Sequence, residues 1–101
     1  MLGIETEIPP DILELAYQVR RLIIGQGGPV GFCGLATETL RLFYRPLERV
    51  HGTLKGKPHW WCLHGNRILD VTADQFNGVG TNFRSVVYGT NQQLQNLYYS
   101  D

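Results

Sequence analysis

Cysteine is scarce in this 101-residue chain, which holds two, Cys33 and Cys62. Two thiols cannot build the dense disulfide framework that staples small secreted domains, so the chain reads as reduced. Net charge is lacking too, because nine basic side chains cancel nine acidic ones. Without a clustered positive field there is no footprint for nucleic acid or for an anionic membrane surface. No apolar run approaches the roughly 20 residues of a membrane helix. Met1-Leu2-Gly3-Ile4-Glu5 lacks the basic and apolar segments of a secretion signal. A cytoplasmic location is therefore expected, and a domain delivered from a longer secreted chain would have the same composition. No cofactor motif is present, and no Cys-x-x-Cys pair marks a metal site.

Composition fits one soluble globular domain spanning residues 1–101, with 43% hydrophobic, 11% aromatic and 18% charged residues. Residues 1–9 read as irregular. Ile12, Leu15, Ala16, Val19 and Ile23 recur at helical spacing and predict a helix over 11–24, with Asp11 in its first turn and Gly25 at its end. Gly25 to Gly31 is a loop of four glycines and a proline. A second helix is expected from Cys33 to Arg45, stopping before Pro46, with Ala36, Leu40 and Phe43 facing inward, helped by Thr39 and Tyr44. Arg41, Arg45 and Arg49 recur every four residues, interrupted by Pro46, and read as a solvated face rather than an anion site. Strands are expected over 58–63, 68–72 and 83–88, with a short earlier one within 49–56. The polar tail, 90–101, carries Leu94, Leu97 and Tyr98 at near-helical spacing. Two helices followed by a small antiparallel sheet make an α+β domain.

The chemistry gathers on three residues. Cys33 heads the second helix after the glycine loop, where unpaired backbone N–H groups and the helix dipole favour a thiolate. Gly65-Asn66 is a favoured two-residue hairpin turn. It sets the register His64 to Arg67, Leu63 to Ile68, Cys62 to Leu69, Trp61 to Asp70 and His59 to Thr72. Side chains alternate along a strand, so His59, Trp61, Asp70 and Thr72 share one face, with His59 and Asp70 as diagonal neighbours. A one-residue slip would part them. Cys33 as nucleophile, His59 as base and Asp70 as orienter form a thiol relay. Its oxyanion donors are the Cys33 backbone N–H and, as a second candidate, the Gln26 side-chain amide. Asp74 is the alternative orienter. Cys62 belongs in the core with Trp60, Leu69 and Val71 on the opposite face. His64 in the turn and His51 in a loop read as solvated, and Trp60 and Trp61 as core or cleft wall.

The order glycine loop, Cys33-headed helix, His59-Trp60 strand and Asp70-Val71-Thr72-Ala73-Asp74-Gln75-Phe76 resembles the papain-like and transglutaminase-like Cys-His-Asp superfamily. It is similar in particular to bacterial papain-fold toxin and protein-deamidase domains. The resemblance covers Gln26 to about Tyr88. It implies a papain-like core and a cysteine hydrolase acting on a peptide or side-chain amide, as peptidase, glutamine deamidase or amidase. Acyl transfer of the transglutaminase type uses the same triad. The implied partner is a protein or peptide substrate, joined by an inhibitor or immunity protein for a toxin domain. Two rival readings use the same residues. One is a zinc module on Cys33, His59, Cys62 and His64, whose residue types suit tetrahedral zinc. The other is a non-catalytic interaction domain on this fold.

Overall fold

The computed structural model, which describes residues 8–78 and 82–101, begins with helix α1 (Pro10–Gly25). Pro10 suits the first helical turn because its missing N–H would have no intrahelical partner there. Ile12, Ala16, Val19 and Ile23 are buried along one stripe, as the 3.6-residue period requires. The chain then reverses tightly: Gly28 N–H bonds the Ile23 carbonyl at 2.8 Å. A Cβ on Gly28 would lie 2.8 Å from that same oxygen, so only glycine fits. Of the irregular stretch expected over 1–9, residues 1–7 lie outside the described residues.

Helix α2 (Cys33–Phe43) starts at the expected residue and stops two short of Arg45. Ala36, Thr37 and Leu40 form its buried stripe. Phe43, expected to face inward, is 69% exposed. It stands on the last residue of the helix, where the next turn that would carry the stripe onward is missing. Leu47 fills the core in its place.

Five strands follow: β1 (Glu48–Leu54), β2 (Lys57–His64), β3 (Arg67–Asp70), β4 (Val87–Gly89) and β5 (Tyr98–Ser100). They form one antiparallel sheet in the order β4-β3-β2-β1-β5. The β2–β3 register is the expected one, with His64 opposite Arg67, Leu63 opposite Ile68 and Cys62 opposite Leu69. Three extents differ from expectation. Strand β3 ends at Asp70, because the chain turns at Val71 into a short 3-10 helix, Ala73–Phe76. Only Val87–Gly89 of the stretch 83–89 runs as a continuous strand, with Phe83 held apart from it by Asn77. The tail forms turns and then strand β5 against β1, instead of a helix.

Alternation along the strands feeds two apolar clusters. Cys62, Leu69 and Tyr88 join Ile12, Ala16, Val19, Ile23, Ala36 and Leu40 under the helices. Their neighbours Trp61, Ile68 and Val87 point the other way, into a cluster with Leu54, Phe83, Leu94 and Tyr98. The sheet is curled, as one contact demonstrates. Tyr98 on β5 is three strands from Asp70 on β3, about 14 Å across a flat sheet. Its hydroxyl nevertheless reaches the Asp70 carboxylate at 2.8 Å. The curl encloses the second cluster, and His59 and Asp70 lie at its polar end.

Candidate functional site

Asp70 is 1% exposed and His59 1% exposed, so both must find partners inside the protein. They find each other: His59 Nε2 lies 2.7 Å from Asp70 Oδ2. Asp70 is held from three further directions. Tyr98 Oη–H donates to Oδ2 at 2.8 Å, and Thr72 donates to Oδ1 from its backbone N–H at 2.9 Å and its hydroxyl at 3.2 Å. Four donors on one carboxylate fix its position and repay its desolvation. Burial, followed by Asp70's charge and hydrogen bond, holds the Tyr98 hydroxyl well above its ordinary range, so it stays a donor. The His59 ring is walled by Phe76, edge-on with centroids 5.0 Å apart, and by Trp61 at 6.2 Å.

Fixing Nε2 on Asp70 turns Nδ1 the other way. Nδ1 is buried and has no partner at ordinary hydrogen-bond geometry among the described residues. The Cys33 thiol makes no hydrogen bond of ordinary geometry to this nitrogen and is coupled to the ring electrostatically. Such pairs are commonly slack until substrate binds. Burial pushes the half-buried thiol up. The polar pull of His59 and of the Trp60 backbone N–H, with the imidazolium charge, outweighs it, leaving Cys33 below its ordinary 9.0. Burial pulls His59 down, but the charge and hydrogen bond of Asp70, with smaller contributions from Cys33, raise it to about 9. The two shifts together favour thiolate beside imidazolium. Cys62 is the contrast: burial, with Asp70's charge adding, pushes it up to about 12.

Cys33 opens α2 and is half-buried. Phe32 caps the helix without a side-chain hydrogen bond, and the first intrahelical bond runs from Ala36 N–H to Phe32 O. The N–H groups of Cys33, Gly34 and Leu35 therefore have no helical acceptor, which leaves them to polarise an anion. Thr37 Oγ1 ties the turn from within, 3.0 Å from Cys33 O and 3.1 Å from Gly34 O. From β1, Arg49 donates to Thr37 Oγ1 at 3.1 Å and to Gly34 O at 3.3 Å, and its guanidinium lies 4.3 Å over Trp60.

No protein-family model, curated protein or solved structure matches this chain. The site thus rests on its own geometry.

His59 and Asp70 are in direct contact, and Cys33 is near enough to His59 for their charges to interact. Gln26 is not joined to them: it caps the end of α1 through its backbone, and its side chain is exposed without a hydrogen bond among the described residues. Asp74 is not an orienter of His59. Both its oxygens are taken by Arg20, at 2.6 Å each, and Arg20 also donates to the Val71 carbonyl at 2.9 Å. The zinc set is not assembled, and no group of three His, Cys, Asp or Glu suited to a metal occurs among the described residues. Cys62 faces the helical core toward Thr37 O, and His64 turns to the Tyr88 hydroxyl at 2.8 Å. His64 is half-buried on β2 rather than solvated in the turn. His51 lies on β1, its ring tilted against Trp60 with centroids 4.9 Å apart, and is paired with the Asp101 carboxylate. No helix among the described residues is long and apolar enough to cross a membrane.

Sequence reasoning missed Tyr98 and saw Thr72 only as a face-mate of Asp70. Thr72 two residues past a buried aspartate is an Asx-turn signal. Tyr98-Tyr99-Ser100 carries a strand composition, the one cue that would have placed Tyr98 on a sheet.

Proposed function

We propose that this protein is a cysteine hydrolase that cleaves a peptide or side-chain amide through an acyl-enzyme on Cys33, on a papain-like core. The observation that supports it most is the buried His59–Asp70 pair, which leaves an otherwise unpartnered Nδ1 to the Cys33 sulfur. A structural histidine would satisfy both ring nitrogens. This one holds its second nitrogen, in a water-poor aromatic box, beside a thiol whose ionisation is eased.

Chemistry follows from the protonation pattern. The Cys33 thiolate attacks the amide carbonyl carbon, forming a C–S bond and an oxyanion. The N–H groups at the start of α2, which have no helical acceptor, donate to that oxygen in this reading. His59 Nδ1–H gives its proton to the departing nitrogen as the C–N bond breaks, leaving the acyl-enzyme. Water then attacks the thioester while Nδ1 takes its proton. The C–S bond breaks, the acid leaves, and proton transfer restores thiolate and imidazolium. Throughout, Nε2–H stays on Asp70, which holds the ring orientation and balances its charge. An amine in place of water gives acyl transfer with the same residues.

The test is mass spectrometry of a glutamine-rich peptide mixture incubated with the protein and with Cys33→Ala. Expected are new termini or amide-to-acid conversions made by the intact protein and absent with the variant. Identical product profiles from both would overturn the reading.

A further inference from the structure

Arg41, Arg45 and Arg49 are separated in sequence by Pro46, yet the fold gathers them. Strand β1 runs back beside α2, so Arg49 returns to the helix face that carries the other two. They line one groove of about 420 Å³ with Glu38, Leu35 and Leu42. That volume suits a short ligand segment. Three guanidinium groups face one carboxylate there, although the whole chain is neutral. Arg41 and Arg45 make no ion pair or side-chain hydrogen bond among the described residues, and both are exposed. Leu42 beside them is 64% exposed, and Leu35 43%. A half-basic, half-apolar groove with unspent guanidinium forks lacks a partner of opposite charge.

The groove approaches the start of α2 through Arg49. Arg49 bonds the carbonyl of Gly34, the neighbour of Cys33, and covers Trp60, whose ring also lies against Gly34. From Cys33, Arg41 is about 12 Å along the helix and Arg45 lies beyond it. An extended polypeptide covers that span in about four residues.

We infer that the groove binds an acidic segment of the polypeptide substrate, with carboxylates about three to five residues to one side of the reacting amide. This rests on the hydrolase reading and names its substrate class. Planar guanidinium forks match carboxylates in pairs, and the leucines accept an apolar residue between them. Glu38 within the groove opposes the denser charge of a phosphate, and the rest of the chain, with six basic and eight acidic side chains, offers a polyanion no extended basic track.

The test uses Cys33→Ala protein and fluorescence anisotropy of labelled peptides that carry one glutamine followed, after a spacer, by three glutamates or three lysines. The glutamate peptide is expected to bind, more weakly as salt rises, and the lysine peptide not to. The double variant Arg41→Glu/Arg45→Glu is expected to weaken binding by about ten-fold or more. In protein that keeps Cys33, the same double variant is expected to leave the iodoacetamide rate of Cys33 unchanged. Equal binding of both peptides, no binding of the glutamate peptide, an unaffected double variant, or preference for a phosphopeptide of the same length each overturns the groove assignment. Selective glutamate-peptide binding with a Cys33 no more reactive than Cys62 would instead sustain the groove and remove the hydrolase reading.

Discussion

Replacing Asp70 by asparagine keeps the shape of the site and changes its electrostatics. Thr72 donates to Oδ1 from two groups, so an asparagine oxygen would be drawn to that side. Its NH₂ would then face Tyr98 and His59. The tyrosine hydroxyl can turn to accept, whereas His59 Nε2 can accept only by giving up its proton. Asp70→Asn therefore favours the neutral tautomer with hydrogen on Nδ1, the nitrogen that should exchange protons with Cys33. In the wild type Asp70 holds the imidazole at about 9 against an ordinary 6.5. Without that charge, the downward pull of burial is opposed only by the smaller contributions of Cys33, so His59 should fall back toward its ordinary 6.5. A fall from about 9 to 6.5, about 2.5 pH units, corresponds to about 3 kcal/mol. Because the folded value is raised, this contribution to stability is complete below 6.5 and disappears as pH rises through about 9. Asp70→Asn should thus cost about 3 kcal/mol in mildly acidic solution and progressively less above neutrality. Denaturant melts across that range and a histidine NMR titration measure both effects. An imidazole that still titrates near 9 in the variant would refute the reasoning, since Asp70 would not be the source of the shift.

Three other substitutions probe the supports. Asp74→Asn breaks the bidentate partner of Arg20 and should cost about 1.5–3 kcal/mol by melting, yet leave Cys33 alkylation intact; slowed alkylation would make Asp74 part of the relay. Tyr98→Phe removes one of four donors from Asp70 and should cost about 1.5–3 kcal/mol, with His59 titrating further upward as its carboxylate partner is freed; an unchanged melt and titration would show that the hydroxyl is a bystander. Gly52→Ala would set a Cβ 2.0 Å from the Tyr99 carbonyl oxygen, opposite His59 on β2. Separation of β5 from β1 should follow, with a loss of about 1–3 kcal/mol or more, and a wild-type melting curve would contradict that close approach.

The β2–β3 hairpin was legible because three local signals agree there. Apolar and polar residues alternate, Gly65-Asn66 sets a two-residue turn, and the register puts His59 and Asp70 on one face. Cys33 at a helix start was legible from the glycine loop before it and the apolar period after it. What escaped notice depends on long-range contact. Tyr98 reaches Asp70 only because the sheet curls and β5 pairs with β1 across 46 residues, from Leu54's neighbourhood to the tail, and no local pattern encodes that closure. Without it, Leu94, Leu97 and Tyr98 read equally well as a helical stripe. Phe43 obeyed the helical period but stood on the final turn, where period alone does not say whether core remains to be covered. Asp74 and Asp70 were chemically equivalent in sequence; Arg20, far upstream, decides between them by occupying Asp74. Arg41 and Arg45 are solvated as their spacing suggested, but the return of Arg49 beside them depends on β1 folding back along α2.

The most direct measurement is the rate of iodoacetamide alkylation at each cysteine as a function of pH, read by peptide mass spectrometry on the folded protein. A thiol held below its ordinary 9.0 by His59 and the Trp60 N–H should react readily at neutral pH. Cys62, pushed up to about 12, should stay unlabelled until the protein unfolds. The reactivity of Cys33 should drop on His59→Ala. Slow labelling of Cys33 that rises only toward pH 9, indifferent to His59, would contradict the account.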